Sequence, residues 1–388
     1  MSVSAAELVE MRRPYGKAQD LIFVSAQTGD PSDGAKAQLA EVMEKIGAVL
    51  KDARCTPSDV VKLGIFYHQS LTAGEADLLL EARRWFPDDY APVVTMIPLH
   101  HVPNGCLVQG EAIAITPGTS RATRKTVEGP TIKGKPGFSQ SVRCGDLVFV
   151  GAQMSVDDDG ETLHEGDIVA QAKTTIANLE AALKAAGTDL SAGAKLNTYY
   201  VGTGTTEDWR QAAQVRSDGF QKPGPGATGL PIPGSFPDDI LVRQEIIAIA
   251  EEDGSPAPRV TSWPDGVWDW PIPVSFEQGL LINGLIITGG QIAADTKGIA
   301  VYPDDLAAQT RDVMETIVKI IAGYGVDTSA LSKMTIFYAT DGDPADLDTI
   351  MQEVAPFFPK SWPALTIVPL GRIGLTGIDI EIEAVGQV

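Results

Sequence analysis

The feature that most constrains the fold is an internal repeat that occurs three times. A strand-like segment containing a lysine, residues 61–67, recurs at 194–200 and at 331–338. In each copy a glutamine precedes the lysine and a glutamate follows it by 49, 50 and 50 residues (111−62, 245−195 and 383−333). The three sets of marks are Gln27, Lys62 and Glu111; Gln153, Lys195 and Glu245; and Gln291, Lys333 and Glu383. Units of this length exceed the ~20–50 residues of solenoid repeats, so the sequence predicts three tandem domains.

Each copy has the same predicted order of elements: strands, a helix, a strand, a second helix, and closing strands. The longer helices are predicted at 37–51, 168–185 and 306–322, and the shorter ones at 76–85, 207–220 and 344–357, from apolar spacing. This order predicts an α+β domain with a mixed sheet and both helices on one face. The predicted domains are 1–118, 128–252 and 268–388, joined by linkers at 116–130 and 251–264.

Composition narrows the class of function. The formal net charge is −21, which disfavours binding to nucleic acid and to anionic membrane surfaces. Three cysteines, an odd number, argue against a disulfide scaffold. The chain starts without a basic and apolar leader, and no later run reaches the ~18 apolar residues of a membrane helix. We therefore expect a cytoplasmic protein that acts on a small molecule.

Several short motifs recur in the same order in each copy. These are two small residues before the glutamine, a glutamine opening the long helix, the lysine strand, a Pro-x-x-Thr strand and the closing glutamate. Together they resemble the Rid (YjgF) family of reactive-intermediate deaminases. The resemblance implies chorismate-mutase-like domains that need no cofactor, and trimers with a central β-barrel, outer helices and clefts between neighbours. For three fused copies it implies an intramolecular pseudo-trimer, either monomeric or paired into a dimer.

The three copies differ from that family at its ligand-binding positions. The family arginine that grips a substrate carboxylate is replaced by Val94, Ala227 and Leu365. The family tyrosine is matched by Tyr15 in the first copy and by Phe138 and Phe276 in the others. A second family glutamate is kept as Glu381, and its counterparts are Gln109 and Arg243. The sequence therefore predicts three clefts that have diverged from one another.

Candidate catalytic residues lie in the loop after the Pro-x-x-Thr strand and on the last strand. His101 and Arg372 occupy matching loop positions, where a histidine is able to act as a base and an arginine to pair with an anion. The alternative is that both are ordinary surface residues. Glu381 and Glu383 share one face of a strand, so each raises the pKa of the other. Glu111 closes the first copy and is either catalytic or part of a hydrogen bond made by the scaffold.

Candidate substrate-binding residues are Tyr15, Arg243, Thr95 and Trp263. Trp263 opens a cluster of three tryptophans within residues 263–270, which is typical either of an aromatic pocket or of a packed connector. No metal site is predicted, because the adjacent His100 and His101 lack a spacing at which ligands converge. The G-x-G-x-x-G match at 224–229 opens no helix and does not indicate a dinucleotide site.

The leading hypothesis is a cofactor-independent, catabolic enzyme that hydrolyses or deaminates a C–N bond in an imine, enamine or amide-like compound. Water would attack in an inter-domain cleft. Backbone amides of the Pro-x-x-Thr strand would hold the polarised atom, a histidine or glutamate would exchange protons, and Arg372 or Arg243 would balance charge. Two alternatives remain: a cofactor-independent isomerase or lyase, and a non-catalytic ligand-binding protein.

Overall fold

The first copy forms one mixed sheet with two α-helices. The computed structural model describes residues 13–128, 137–157, 159–232 and 236–388. The first copy comprises β1 (Tyr15–Ala18), β2 (Leu21–Thr28), α1 (Ala35–Asp52), β3 (Val60–His68), α2 (Glu75–Arg83), β4 (Val93–Leu99) and β5 (Val108–Ile115). The strand order is β1-β2-β5-β3-β4, with β3 and β4 parallel and the other pairs antiparallel.

The second and third copies repeat this plan. The second comprises β6 (Arg124–Glu128), β7 (Ser139–Cys144), β8 (Leu147–Gln153), α3 (Ile168–Ala185), β9 (Gly193–Val201), α4 (Thr206–Asp218), β10 (Gly226–Ile232) and β11 (Val242–Ile249). The third comprises β12 (Arg259–Ser262), β13 (Gly279–Ile282), β14 (Leu285–Thr288), β15 (Gln291–Ile292), α5 (Leu306–Ala322), β16 (Leu331–Ala339), α6 (Pro344–Val354), β17 (Ala364–Leu370) and β18 (Ile380–Gln387). The predicted α+β architecture with mixed sheets is therefore confirmed three times.

The long helices form because their apolar residues recur at intervals of three and four. In α1 the buried stripe of Leu39, Val42, Met43, Ile46 and Leu50 packs on β2 and β5. Asp167 and Asp305 cap α3 and α5 by accepting the backbone N–H groups of Ala170 and Ala308. Each long helix thus packs on one face of its own sheet and holds the strands in position.

The two predicted linkers contain strands. β6 pairs antiparallel with β7, and β12 pairs antiparallel with β13, so the second and third sheets begin before the predicted boundaries at 128 and 268. The part of the first predicted linker that follows Glu128 lies outside the described residues, as do residues 1–12 of the first predicted domain. Each linker segment pairs with an edge strand of the sheet that follows it, because its backbone N–H and C=O groups find hydrogen-bond partners there.

The described strands form three open sheets, and none of them closes into a barrel. This differs from the predicted central β-barrel, which would require continuous pairing between copies. Neighbouring copies meet instead through packed side chains, with Phe23, Phe149 and Leu280 in one buried hydrophobic cluster. Isolated backbone contacts add to this, such as a parallel bridge from Gly226 to Glu277 and a 2.9 Å hydrogen bond from Gly290 N to Ala227 O. Along the described segments, none of the helices combines the length and the apolar character needed to cross a bilayer.

Candidate functional site

The repeated lysines and closing glutamates form ion pairs that link the copies in cyclic order. Lys62 of copy one pairs with Glu245 of copy two at 2.8 Å, Lys195 of copy two with Glu383 of copy three at 2.8 Å, and Lys333 of copy three with Glu111 of copy one at 2.6 Å. The threonine of each Pro-x-x-Thr strand completes each pair: Thr95 donates to Glu245, Thr228 to Glu383 and Thr366 to Glu111. Each copy therefore supplies a lysine and a threonine to one neighbour and a glutamate to the other.

These six charged residues line a central cavity. Burial alone would raise the pKa of Glu111, but Lys333, Lys62 and the hydrogen bonds outweigh it and hold that pKa below its usual value. Lys195 has the corresponding effect on the pKa of Glu383. Two of the predicted site residues thus belong to these ion pairs. Glu111 is paired with Lys333, and Thr95 donates to the carboxylate of Glu245.

The position two residues before each closing glutamate contacts the neighbouring copy at an equivalent point. Arg243 donates to Met96 O at 2.6 Å, Gln109 donates to Ile367 O at 3.0 Å, and Glu381 is hydrogen-bonded by the backbone of Gly229. Met96, Ile367 and Gly229 each follow the threonine of their strand. We call these three places the 1–2, 3–1 and 2–3 clefts, after the copies that meet at Arg243, Gln109 and Glu381.

The 1–2 cleft is filled by a buried ion pair. Arg243 binds both carboxylate oxygens of Glu75, at 2.8 and 2.9 Å, and its guanidinium lies 4.3 Å from the ring centroid of Phe236. The Tyr67 hydroxyl donates to Glu75 at 2.6 Å. Bidentate pairing of this kind fixes the arginine in position. The charge of Arg243 is therefore balanced within the protein.

The 3–1 cleft carries the neutral Gln109, which is buried. His101 also lies where copies one and three meet, packed against Gly342. Its ring stands at right angles to that of His100, with centroids 4.7 Å apart. Burial and the neighbouring histidines lower the pKa of His101, so the neutral form is favoured. The structure does not bring His101 together with Glu381.

The 2–3 cleft contains a cavity that is open to solvent. Copy two contributes Trp209 and Arg216 from α4 and Ala227 and Gly229 from β10, and copy three contributes Trp268, Trp270, Phe276, Gly290 and Glu381. A side chain at position 290 would collide with the Glu381 carboxylate, so glycine is required there. This cavity combines aromatic walls with two ionisable side chains.

Glu381 is the group in this cavity whose proton affinity is most altered. Its side chain is buried, and burial raises its pKa to about 8; Glu383 adds to the rise, while Lys195 and Arg216 oppose it. A carboxyl group with this pKa is predominantly protonated at pH 7 and exchanges its proton readily. The prediction of a raised pKa agrees with this arrangement for Glu381, although burial rather than Glu383 is the main cause. It is wrong for Glu383, because Lys195 and the Thr228 hydroxyl hold the pKa of that carboxyl below its usual value.

Arg216 was not among the residues predicted from the sequence. It is 1% exposed, its guanidinium lies 5.8 Å from the ring centroid of Phe276, and burial lowers its pKa to about 10. One signal in the sequence points to it: Trp209, Ala213 and Arg216 follow the i, i+4, i+7 spacing of an apolar stripe. An arginine at such a position indicates that its guanidinium points towards the protein interior.

The tryptophan cluster forms the opposite wall. The Trp268 ring nitrogen donates to Gln291 at 3.0 Å, and the Trp268 and Trp270 ring centroids are 4.8 Å apart. Trp263, predicted to bind substrate, packs on Trp270 at 5.4 Å and has Lys222 5.5 Å above its ring. It therefore supports the wall from behind, and Trp268 and Trp270 face the cavity.

The remaining predicted residues occupy other places. Arg372 is exposed and abuts Gly204 of copy two, immediately before the cavity-lining Ile373. Tyr15 opens β1 opposite Val24 in copy one. The predicted residues are thus spread over three inter-copy contacts and not gathered in one site. Within the described ranges, no group of three or more His, Cys, Asp and Glu residues is placed to hold a metal ion.

The raised pKa of Glu381 predicts a pH dependence of stability. In the unfolded chain this carboxyl ionises near its ordinary pKa of 4.5, whereas in the folded protein it keeps its proton up to about pH 8. Its contribution is therefore fully present below pH 4.5 and lost as pH rises towards 8. Relative to Glu381→Gln, we expect the wild-type free energy of unfolding to fall by roughly 2–4 kcal/mol between pH 5 and pH 8. Urea denaturation at both pH values measures this; parallel pH curves would contradict it.

Comparisons with known proteins agree with the repeat. A family model described as Endoribonuclease L-PSP matches residues 10–116, 131–250 and 272–388. A RutC family protein of Pyrococcus abyssi is 29% identical over 114 residues, covering 29% of this chain and 87% of that protein. A 2-iminobutanoate/2-iminopropanoate deaminase of Salmonella typhimurium is 31% identical over 113 residues, covering 28% and 84%.

Among solved structures, E. coli TdcF with bound serine is 23% identical and covers 33% of this chain and 98% of its own, with a TM-score of 0.29. The E. coli YjgF gene product is 27% identical, with the same 33% and 98% coverage and a TM-score of 0.29. The Pyrococcus and Salmonella proteins each align with about one copy, whereas the family model matches all three. This chain therefore belongs to the Endoribonuclease L-PSP family, the Rid family predicted from its motifs, and carries three tandem copies of the family domain.

Proposed function

We propose that this protein is a cofactor-independent deaminase that hydrolyses a carbon–nitrogen double bond, or the enamine in equilibrium with it, in the 2–3 cleft. The observation that carries the proposal is Glu381, a buried carboxyl with a pKa raised to about 8, at a cavity wall beside the backbone of Gly229. Related family members named as imine deaminases support the same reaction class.

The chemistry requires one residue that both gives and takes protons. In the first step water adds to the imine carbon while Glu381 gives its proton to nitrogen and regains one from the added oxygen, forming a carbinolamine. In the second step Glu381 again protonates nitrogen, the C–N bond breaks, and the carboxylate takes the hydroxyl proton as the carbonyl forms. One water is consumed, ammonia and a carbonyl compound are released, and Glu381 ends protonated.

The three copies are arranged as an intramolecular pseudo-trimer in this proposal. The cyclic order of the pairs Lys62–Glu245, Lys195–Glu383 and Lys333–Glu111 supports it, because each copy uses the same two surfaces on its neighbours. Fusing the copies lets equivalent clefts differ. The 1–2 cleft holds an internal ion pair and the 3–1 cleft a neutral amide, which leaves the 2–3 cleft for chemistry.

The test measures ammonia release from imines generated in situ by an amino-acid oxidase, and from enamines, with the intact protein. We expect release above the uncatalysed rate. Ala227→Leu, which narrows the 2–3 cleft, should lower it by about 10²-fold through misplacement of the substrate. The matched Val94→Leu, at the equivalent position of copy one, should leave it unchanged. Binding without turnover of any compound, or equal losses in both variants, would overturn the proposal.

A further inference from the structure

We infer that the 1–2 cleft is a binding site for small carboxylic acids, which the chain keeps closed with its own side chain, Glu75 of copy one. Glu75 acts there as an internal ligand, and a free carboxylate takes its place when Glu75 is removed or withdrawn. The site is separate from the 2–3 cleft, in which the deaminase activity is proposed. Its binding is measurable whether or not the protein is a deaminase.

Three donor groups from two copies converge on the Glu75 carboxylate. The Arg243 guanidinium of copy two donates to Oε2 at 2.8 Å and to Oε1 at 2.9 Å, and the Tyr67 hydroxyl of copy one donates to Oε2 at 2.6 Å. Burial, and then the nearby Glu75 carboxylate, raise the pKa of Tyr67, so its hydroxyl stays protonated and remains a donor. A planar fork of two N–H groups beside an O–H group selects a carboxylate over a neutral or cationic group.

The arginine is also held by groups other than Glu75. Its Nη1 donates to Met96 O at 2.6 Å, and its guanidinium lies 4.3 Å from the ring centroid of the buried Phe236. The carbonyl belongs to copy one and the ring to copy two, so both sides of the cleft fix the guanidinium. We therefore expect the donors to keep their positions when the Glu75 carboxylate leaves, which makes the site preorganised for another carboxylate.

The other two copies show a different use of the acid at this position. The counterparts of Glu75, each 13 residues after the repeated lysine (75−62, 208−195 and 346−333), are Asp208 and Asp346. Asp208 accepts the backbone N–H and the hydroxyl of Thr203, and Asp346 accepts the hydroxyl of Thr340. Both aspartates therefore bind the loop that precedes their own helix.

Glu75 differs from these two aspartates by one methylene group and by the direction in which its carboxylate points. It is the first residue of α2, and its longer side chain reaches across the cleft to Arg243 of copy two. Neither of its donors stands at the position of the family arginine, which is Val94 in copy one. The donors and the internal ligand together are therefore a feature of this chain's first and second copies.

Glu75 is attached to a segment that faces solvent. Residues 69–74, directly before α2, form a 3₁₀-helix in which no side chain is buried. Segments with few buried contacts open at a lower free-energy cost than the sheets to which they are joined. Withdrawal of Glu75 therefore needs a local opening of this segment and not the separation of copies one and two.

In the intact protein the tethered carboxylate competes with any free one. A short tether gives Glu75 an effective concentration in the millimolar range or above, whereas an acid as small as acetate makes few contacts and binds weakly. We therefore expect acetate to change the melting temperature of the wild type no more than chloride does at the same ionic strength. Acetate should stabilise a variant that lacks the Glu75 carboxylate.

The test is chemical rescue of Glu75→Ala in the full-length protein. Thermal melting is followed with sodium acetate, acetamide or sodium chloride at about 100 mM and constant ionic strength, a concentration well above a weak Kd of about 10 mM. Glu75→Ala should melt below the wild type, and acetate should raise its melting temperature by at least about 2 °C more than chloride or acetamide does. An equal rise with all three, or none with acetate, would overturn the assignment of this site.

Two further variants separate a carboxylate site from a general effect of acetate. Asp208→Ala is the matched control, because the equivalent acid binds its own loop, and acetate should stabilise it no more than chloride does. Glu75→Ala/Arg243→Met should lose the acetate effect, because the guanidinium is gone. An acetate effect that persists in this double variant, or that appears equally in Asp208→Ala, would place acetate elsewhere and contradict the proposal.

Glu75→Asp provides the same test if Glu75→Ala does not fold. Its shorter carboxylate should turn to its own loop as Asp208 does, which leaves room beside Arg243 for formate, the smallest carboxylate. Formate should then raise the melting temperature of Glu75→Asp by at least about 2 °C more than chloride at the same ionic strength. A melting temperature that does not respond to formate contradicts the proposal equally.

Discussion

Replacing Glu381 by glutamine is expected to lower kcat/KM for ammonia release by about 10²–10⁴-fold, the range typical for loss of a positioned acid–base group. Glutamine has nearly the same shape and keeps an oxygen able to accept the Gly229 N–H. It is unable to exchange a proton, which the buried carboxyl does readily because its pKa is about 8. Steady-state kinetics at pH 7, together with a melting curve to show that the variant is folded, measure the effect.

The matched control is Gln109→Ala, because Gln109 occupies the equivalent position in the 3–1 cleft. This variant should keep wild-type kinetics. In the wild type, kcat/KM should fall as pH rises through about 8, since the protonated carboxyl is the reactive form. A Glu381→Gln rate within threefold of wild type, or an equal loss in Gln109→Ala, would assign the chemistry to another residue.

The domain plan could be predicted because it depends on local patterns repeated three times. The helix periodicities and the β-rich segments needed no knowledge of what packs against them, and α1, α3 and α5 begin within two residues of their predicted starts. The strands inside the predicted linkers were missed for the opposite reason. β6 and β12 are short and polar, and they exist because an edge of the following sheet offers hydrogen-bond partners.

The site was harder to predict, because it is built by contacts between copies. Glu381 could be identified from its position on the strand. Its burial against copy two depends on Gly229 and Gly290, where the absence of a side chain leaves room for the carboxylate. His101 and Arg372 occupy matching positions in their own copies and therefore face different neighbours, copy three and copy two. Arg216 lies on α4 and belongs to none of the repeated motifs, so only its position on the apolar stripe of that helix marked it.

Replacing Lys333 by methionine is expected to destabilise the protein by about 3–5 kcal/mol, the usual cost of removing one partner of a buried ion pair. The change leaves Glu111 buried next to Thr366 without its cation. Because natural domains are stable by only about 5–15 kcal/mol, this is a large fraction of the total. Urea denaturation measures the loss, and the exposed Lys319→Met in the same copy should change stability by no more than about 0.5 kcal/mol.

The double variant Lys333→Met/Glu111→Leu tests whether the stability lost in the single variant comes from the uncompensated charge of Glu111. Removing both charges leaves no uncompensated carboxylate, so most of the stability lost in the single variant should return. The Lys195–Glu383 pair beside the 2–3 cleft is unchanged in this double variant. We therefore expect the double variant to keep the ligand affinity of that cleft as well as the recovered stability. A single-variant loss below about 1 kcal/mol would instead indicate that Glu111 takes up a proton or reaches solvent, and that the central charges contribute little to holding the copies together.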